Sequence, residues 1–238
     1  MARNEEIARI IEKAKEEKRF ELNEIEAKTI VSSYGISVAK TTVAKNEDDA
    51  VKIANEIGYP VVLKIFSPDV LHKSDVGGVK INLKSDSDVK NAFNEIINNV
   101  KKHVPNARIE GVVVQEFAPQ GLEVIIGGIY DKFFGPTIMF GLGGVWVEIL
   151  KDVTFRLAPI DKQEAEDMIK EIKGYPLLTG YRGSPPVDLD ALKDALVKAS
   201  QLMNDFQEIG EMDLNPTMAY EKGKGIKVVD ARIILRKD

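Results

Sequence analysis

Apolar positions recur at helical spacing through the first hundred residues and at strand spacing through much of the rest. Ile7, Ile10, Ile11 and Ala14 form one stripe, which predicts an amphipathic helix over residues 4–18 with a charged outer face. Leu22, Ile25, Thr29 and Ile30 form the stripe of a second helix, with Gly35 placed to end it in a left-handed cap. Asn46 is the expected N-cap of a third, whose stripe is Ala50, Ile53, Ala54 and Ile57 and which Gly58 closes. YPVVLKI and VKINL read as strands, and Ser85 then caps a helix carrying Val89, Ala92, Phe93, Ile96, Ile97 and Val100. RIEGVVVQEFA, GLEVIIGGIYD, GPTIMFGL, VWVEIL and VTFRLAPI read as successive strands punctuated by Gly and Pro. Helices near 161–173 and 188–206 precede a last pair of strands, EMDLNPTMAY and IKVVDARIIL. The order is α/β and then β-rich, without regular βαβ alternation, and implies a mainly antiparallel α+β fold.

Composition narrows this picture by exclusion. The 238 residues, 44% hydrophobic and 30% charged, suit one large globular domain or two small ones. No run approaches the roughly 18 to 20 apolar residues that span a bilayer, and MARNEEIARI has charges where a signal peptide is apolar, so a cytoplasmic protein that avoids membranes is expected. The absence of cysteine removes disulfides, thiolate zinc sites, iron–sulfur clusters and cysteine nucleophiles, leaving oxygen or histidine to hold any metal. The 33 basic and 38 acidic residues are interspersed, which argues against a nucleic-acid partner.

Within this frame several places could carry chemistry. In EMDLNP, strand alternation puts Glu211, Asp213 and Asn215 on one face and Met212 and Leu214 on the other. A turn centred on Lys222 and Gly223 would set Asn215 opposite Asp230, and a turn centred on Gly223 would slip this by one. Carboxamide and carboxylate oxygens gathered at one spot suit Mg²⁺; a solvated strand face with a turn-forming Asn-Pro fits the same spacing. Lys64, alone in VVLKIF, is either an edge-strand lysine reaching solvent or a point charge for phosphates.

The loop SPDVLHKSDVGGV holds His72, one of the chain's 2 histidines, and ends in Gly77 and Gly78, whose amides could approach phosphates or simply make a turn. Neutral imidazole is both a nucleophile and a good leaving group, which suits reversible phosphoryl transfer, and Asp75 is near enough in sequence to orient the ring. His103 ends a helix, where it is a favourable charge. In VVVQEFAPQGLEV, a hairpin by its Pro and Gly, the segment Gln115 to Ala118 could offer backbone groups to a heterocycle and Glu123 could accept from sugar hydroxyls. Arg156 could clamp phosphate or pair in a salt bridge.

The runs GYPVVLKIFSPDVLHKSDVGGV, QEFAPQGLEVIIGG, FGPTIMFGLGGVWVEILKDVTFRLAP, LLTGYRGSPPVDLDAL, EMDLNP and VVDARI together closely resemble the β subunits of ADP-forming acetate–CoA ligases, over residues 20–238. More distantly the chain is similar to the nucleotide-binding half of succinyl-CoA synthetase. The resemblance implies an ATP-grasp fold of two α+β subdomains clasping a nucleotide, residues 41–111 forming the smaller inserted lobe and 1–40 packing with 112–238.

It also implies roles. Lys64 would contact phosphates, Glu116, Phe117 and Ala118 would line the adenine site, and Glu123 would face the ribose. Gly77 and Gly78 would belong to a mobile phosphate-covering loop. Asn215 and Asp230 would ligate Mg²⁺ with Asp213 as a third or supporting group, and His72 would be the phosphorylated intermediate between a partner and ADP or ATP. The resemblance leaves Glu148, Arg156 and Arg182 without separable roles. The implied partner is a CoA-binding α subunit in an α2β2 hetero-oligomer. Two rival readings are an ATP-grasp ligase that makes a free acyl phosphate, which needs no histidine at position 72, and a non-catalytic adenine-nucleotide-binding module of an acyltransferase.

Overall fold

The computed structural model describes residues 2–70 and 72–237. The chain divides into two compact units, one of residues 1–38 with 120–238 and the other of residues 39–119. Helix α1 (Ala2–Glu16) and helix α2 (Glu24–Ser33) open the larger unit. Asn23 caps α2, accepting from the amides of Ile25 and Glu26, while the Glu26 carboxylate accepts from the Asn23 amide. That cap leaves Leu22 outside the helix, and the buried face is Ala27, Lys28, Ile30 and Val31 rather than the expected stripe through Ile25 and Thr29. Lys28 is accommodated there by Glu24, one helical turn earlier, at 2.8 Å.

The smaller unit runs through strand β1 (Thr41–Ala44), helix α3 (Glu47–Ile57), strands β2 (Val61–Phe66) and β3 (Val79–Leu83), helix α4 (Asp86–His103) and strand β4 (Gly111–Glu116). The sheet order is β1-β4-β2-β3 with every neighbour antiparallel. Asn46 and Ser85 cap the two helices by accepting from the amides of Asp49 and Asp88. The helices bury Ala50, Ile53, Ala54, Val89, Phe93 and Ile96 against Val61, Leu63, Ile65, Val112 and Val114, which come from alternate positions of β2 and β4. β4 pairs with both β1 and β2, so this unit extends to Pro119, whereas the sequence reading ended it at 111. β1 escaped the pattern reading because it has four residues, of which only Ala44 is buried.

The larger unit continues with β5 (Leu122–Asp131), β6 (Gly135–Leu142), α5 (Val145–Leu150), β7 (Val153–Leu157), α6 (Lys162–Glu171), α7 (Tyr175–Leu178), α8 (Leu189–Asp205), β8 (Ile209–Ala219), β9 (Ile226–Val228) and β10 (Arg232–Leu235). Its antiparallel sheet has the order β10-β8-β5-β6-β7, with β9 also on β8. Helix α8 lies on one face, close enough at Gly128 that a Cβ there would come within 2.8 Å of Met203. VWVEIL, expected as a strand, is α5: Gly144 at φ 61° turns the chain, and both edges of β6 are already taken, by β5 and β7. Among the described residues no helix is long and apolar enough to cross a membrane.

One carboxylate ties α8 to the turn between β8 and β9. Asp188 Oδ1 accepts from the Ala191 amide at the start of α8, and Oδ2 accepts from the amides of Gly223 and Gly225 at 2.9 and 3.0 Å. Replacing Asp188 with Ala is expected to cost about 1–2 kcal/mol, the value of a lost helix cap. In a chain of this size that lowers Tm by roughly 2–8 °C. Asp188→Asn, which keeps one acceptor oxygen, should lose less; equal Tm values for Ala, Asn and wild type in thermal unfolding would remove Asp188 from this role.

Candidate functional site

The first element of the site is the C-terminal hairpin of the larger unit. Thr217 pairs with Val228, Met218 with Lys227 and Ala219 with Ile226. Beyond an interruption β10 resumes the same register, with Arg232 opposite Asp213 and Ile233 opposite Met212. This is the register of a turn centred on Lys222 and Gly223, and carried through the interruption it sets Asn215 level with Asp230; the Val229 amide donates to the Pro216 carbonyl at 2.9 Å. Burial alternates along β8, placing Met212 and Leu214 in the core and Glu211, Asp213 and Asn215 on the other face.

On that face Asp213 Oδ1 is buried and makes no hydrogen bond. Burial, and next the charge of Asp230, push the Asp213 carboxyl above its ordinary range; Arg232 opposes this and Glu211 adds to it. Arg232 is itself engaged, donating from Nε to Glu21 at 2.8 Å. An orphaned carboxylate oxygen facing a second acid, with Asn215 beside them, is a donor set made of hard oxygens and short of positive charge, and it fits Mg²⁺. Among the described residues no three His, Cys, Asp or Glu side chains form a ready-made cage.

Asp213 shares a cross-strand row with Gly127, Met139 and Phe155, and these line a groove of about 210 Å³ on the open face of the sheet. Glu123 lies near the start of β5 with its side chain exposed, and its carbonyl accepts from the Gly143 amide at 2.8 Å. A Cβ on Gly144 would lie 2.9 Å from the Glu123 carboxylate, so the two glycines leave room beside that acid.

The smaller unit holds the other expected residues. Lys64 is on β2, which is hydrogen-bonded on both sides, so the edge-strand reading of this lysine does not hold. It occupies the face away from α3 and α4, together with Val62, Val113 and the buried Gln115. Glu116 is tied to Lys40 twice: its amide donates to the Lys40 carbonyl at 2.8 Å and its carboxylate accepts from the Lys40 amide at 3.1 Å. The Phe117 amide donates to the Pro60 carbonyl at 3.3 Å, and Ala118 follows, partly buried.

His72 is exposed and hydrogen-bonds to no described residue, Asp75 included, so the expected orienting contact is not made. The amides of Gly77 and Gly78 donate to Ser74 and Lys73 within their own loop, which assigns them to a turn rather than to an open anion cradle. A Cβ on Gly78 would meet both Ile65 and the Lys73 carbonyl at 2.8 Å, so the turn needs glycine there.

Among the remaining candidates, Arg156 pairs with Glu171 and donates to the Phe155 carbonyl. Arg182 stacks over Tyr181 at 5.5 Å, and His103 sits at the end of α4 with Nδ1 2.8 Å from the Asn99 carbonyl oxygen. The Glu148 side chain lies outside the described residues. Two charged contacts escaped the sequence reading: Arg232 beside Asp213, detectable two positions beyond Asp230, and Arg108, which binds Asp69 across a gap that carries no local signal.

Two mainly antiparallel α+β units, an oxygen-rich hairpin and a lysine on a central strand define a nucleotide-binding architecture of the ATP-grasp class, and a family model described as "ATP-grasp domain" matches residues 13–235. The β subunit of an ADP-forming acetate–CoA ligase from Pyrococcus furiosus is 54% identical over 226 residues, 95% of this chain and 96% of that one. An ADP-forming 4-hydroxybutyrate–CoA ligase from Nitrosopumilus maritimus is 50% identical over 94% of this chain, which spans 32% of that longer protein.

Chains of Ca. Korarchaeum cryptofilum dinucleotide-forming acetyl-coenzyme A synthetase 1 superpose closely. One, from a structure described as in complex with coenzyme A and Mg-AMPPCP, phosphohistidine segment pointing towards the nucleotide binding site, has TM-score 0.87 and 55% identity, covering 97% of this chain and 100% of that one. Another, with a phosphorylated phosphohistidine segment in a site I orientation, has TM-score 0.90 and 57% identity over the same shares. The chain therefore belongs to the ATP-grasp family, as a β-subunit-type member of the ADP-forming acetate–CoA ligases.

The raised Asp213 carboxyl makes a linkage prediction. The native state holds this proton to higher pH than an unfolded aspartate, whose ordinary value is about 3.9, so stability contributed at this site falls as pH rises through the window above about 4. In metal-free buffer Asp213→Asn should therefore be more resistant to urea than wild type at pH 7, with the advantage fading toward pH 4. A variant less stable than wild type at pH 7 would mean that the carboxylate is a stabilising partner instead.

Proposed function

We propose that this chain is the nucleotide-binding subunit of an ADP-forming acyl-CoA synthetase, and that its own step is to move a phosphoryl group between His72 and ADP. The observation that carries this reading is the state of His72: an exposed imidazole that hydrogen-bonds to no described residue, on a loop whose following residues 73–78 are tied by backbone bonds. The Korarchaeum structures, described with a phosphohistidine segment, support a histidine as a phosphoryl carrier in enzymes of this kind.

In the forward step a terminal phosphate oxygen of ADP attacks the phosphorus carried by His72. A P–O bond forms as the P–N bond breaks, the imidazole, protonated on its other ring nitrogen, leaves neutral, and ATP results. In reverse the neutral imidazole attacks the γ-phosphorus and ADP leaves. Lys64 supplies a positive point charge for the phosphates, the segment Glu116, Phe117 and Ala118 lines the adenine site, and Glu123 accepts from ribose hydroxyls. Gly77 and Gly78 shape the loop that carries His72. Asn215 and Asp230, with Asp213 beside them, would hold Mg²⁺, which when bound neutralises phosphate charge.

Acyl and CoA chemistry falls to an α-type partner, in an α2β2 cytoplasmic assembly whose sum is acyl-CoA + ADP + phosphate = carboxylic acid + CoA + ATP. The existence of β subunits and of longer single-chain relatives supports that division.

His72→Ala should still bind ADP and associate with its partner, yet lose ATP formation and all acid-labile, base-stable phosphate on this chain. Near-normal turnover in the variant would mean direct transfer from the partner to ADP. Asp230→Asn should raise the Mg²⁺ concentration needed for half-maximal activity by tenfold or more with little change in Tm; an unchanged magnesium dependence would take Asp230 out of the site.

A further inference from the structure

The loop bearing His72 is fastened on both sides, and the two fastenings differ in kind. On the trailing side the Gly78 amide donates to the Lys73 carbonyl at 2.8 Å, the Gly78 carbonyl accepts from the Ile65 amide at 2.7 Å, and Asn99 donates to the Gly77 carbonyl at 3.3 Å. This network is mostly backbone and is anchored at Ile65 of a central strand, closed around a glycine that admits no side chain.

On the leading side the β2–β4 ladder ends where the Glu110 amide donates to the Phe66 carbonyl, because Pro68 offers no amide to continue it. Asp69 takes over with its side chain. Oδ2 accepts from the Arg108 amide at 2.8 Å and from Nε at 3.2 Å, while Oδ1 accepts from Nη2 at 3.2 Å. Val70 is buried directly after it. The guanidinium holds the Asp69 carboxyl below its usual range, so both charges persist at neutral pH.

Chain length then limits what His72 can do. With Val70 and Lys73 both fixed, only about 10–11 Å of extended chain joins them, which keeps the imidazole close to its resting place. Freeing the leading side back to Phe66 lengthens the span to roughly 23–25 Å. The Arg108 side chain is 72% exposed, and an exposed ion pair contributes little net stability, so of these fastenings the Asp69–Arg108 pair costs least to break.

We propose that Arg108 is a positioning residue for the phosphoryl transfer, its guanidinium latching Asp69 so that His72 is held at rest until the latch opens. This rests on His72 as the phosphoryl carrier. The pair does not touch the reacting atoms; it sets how often they meet.

The test uses Arg108→Gln, which keeps the backbone bond to Asp69 and removes the guanidinium, with Arg108→Lys as the conservative control. Hydrogen–deuterium exchange across residues 67–78 should speed up severalfold in Arg108→Gln while β2 and β4 stay as in wild type, and Arg108→Lys should recover part of the protection. With Mg²⁺ and [γ-³²P]ATP, the acid-labile label should appear on Arg108→Gln at least threefold faster than on wild type, with the ATP concentration for half-maximal rate unchanged. Added salt, which screens an exposed pair, should quicken wild type toward the variant and leave the variant's rate alone. Equal exchange in wild type and Arg108→Gln, or a labelling rate in the variant no faster than wild type, overturns the latch. If wild type takes no label at all, His72 is not the carrier, and the exchange comparison still decides whether Arg108 restrains the loop.

Discussion

A slip of one residue between β8 and the chain that returns beside it would send Met212 and Leu214 to the open face and drive Glu211 and Asp213 into the core. The two methylene-rich side chains would lose burial worth about 1.5–3 kcal/mol each, and two carboxylates would meet an apolar interior. Register is therefore dictated by the cost of the wrong answer. It is reinforced locally, since Gly223 and Gly225 take positive φ in the turn and the Asp188 carboxylate accepts from both of their amides. The placement of Asn215, Asp213 and Asp230 follows from that register, so the chemistry of the hairpin is a by-product of keeping its opposite face dry.

Both sheets repeat the same division of labour. In the smaller unit, helices α3 and α4 cover the face carrying Leu63, Ile65 and Val112, and the other face of β2 carries Lys64. In the larger unit α8 covers Ile126, Ile138 and Leu214, and the other face carries Asp213. Period-2 alternation makes this automatic: a strand whose odd positions are bound to a core has its even positions free for chemistry. Lys64 sits on a strand paired at both edges, so its Cα has little freedom even though its side chain is long, which is what a phosphate-contacting charge requires.

What the sequence made legible follows from how local each signal is. Caps at Asn46 and Ser85 and the stripe of α4 are encoded within a few residues, and the hairpin register needs only a turn and two alternating strands. VWVEIL misled because its residues favour a strand, while its conformation is decided by β7 occupying the edge of β6 that residues 145–150 would otherwise join. The second helix misled through Lys28, a charge buried by a partner one turn away and so invisible to a hydrophobic stripe. The glycine pair after His72 was ambiguous in sequence, because an anion cradle and a closed turn need the same residue; the loop's own carbonyls occupy the amides here. The Asp69–Arg108 pair joins residues 39 positions apart, and no periodicity reports such a contact.

The acidic hairpin also constrains how a nucleotide could be taken up. The charge of Asp230 raises the cost of ionising Asp213, and a polyphosphate approaching them would add to the repulsion. The same two groups bind a polyanion favourably only with a cation between them, so on the proposed reading the affinities for Mg²⁺ and for nucleotide are coupled. Linkage makes that coupling reciprocal: whatever factor the cation contributes to nucleotide binding, the nucleotide returns to cation binding. Neither ligand then needs a tight site of its own. A site incomplete without its second ligand favours the joint complex over either alone, and that suits a subunit that must bind nucleotide and release it in every cycle.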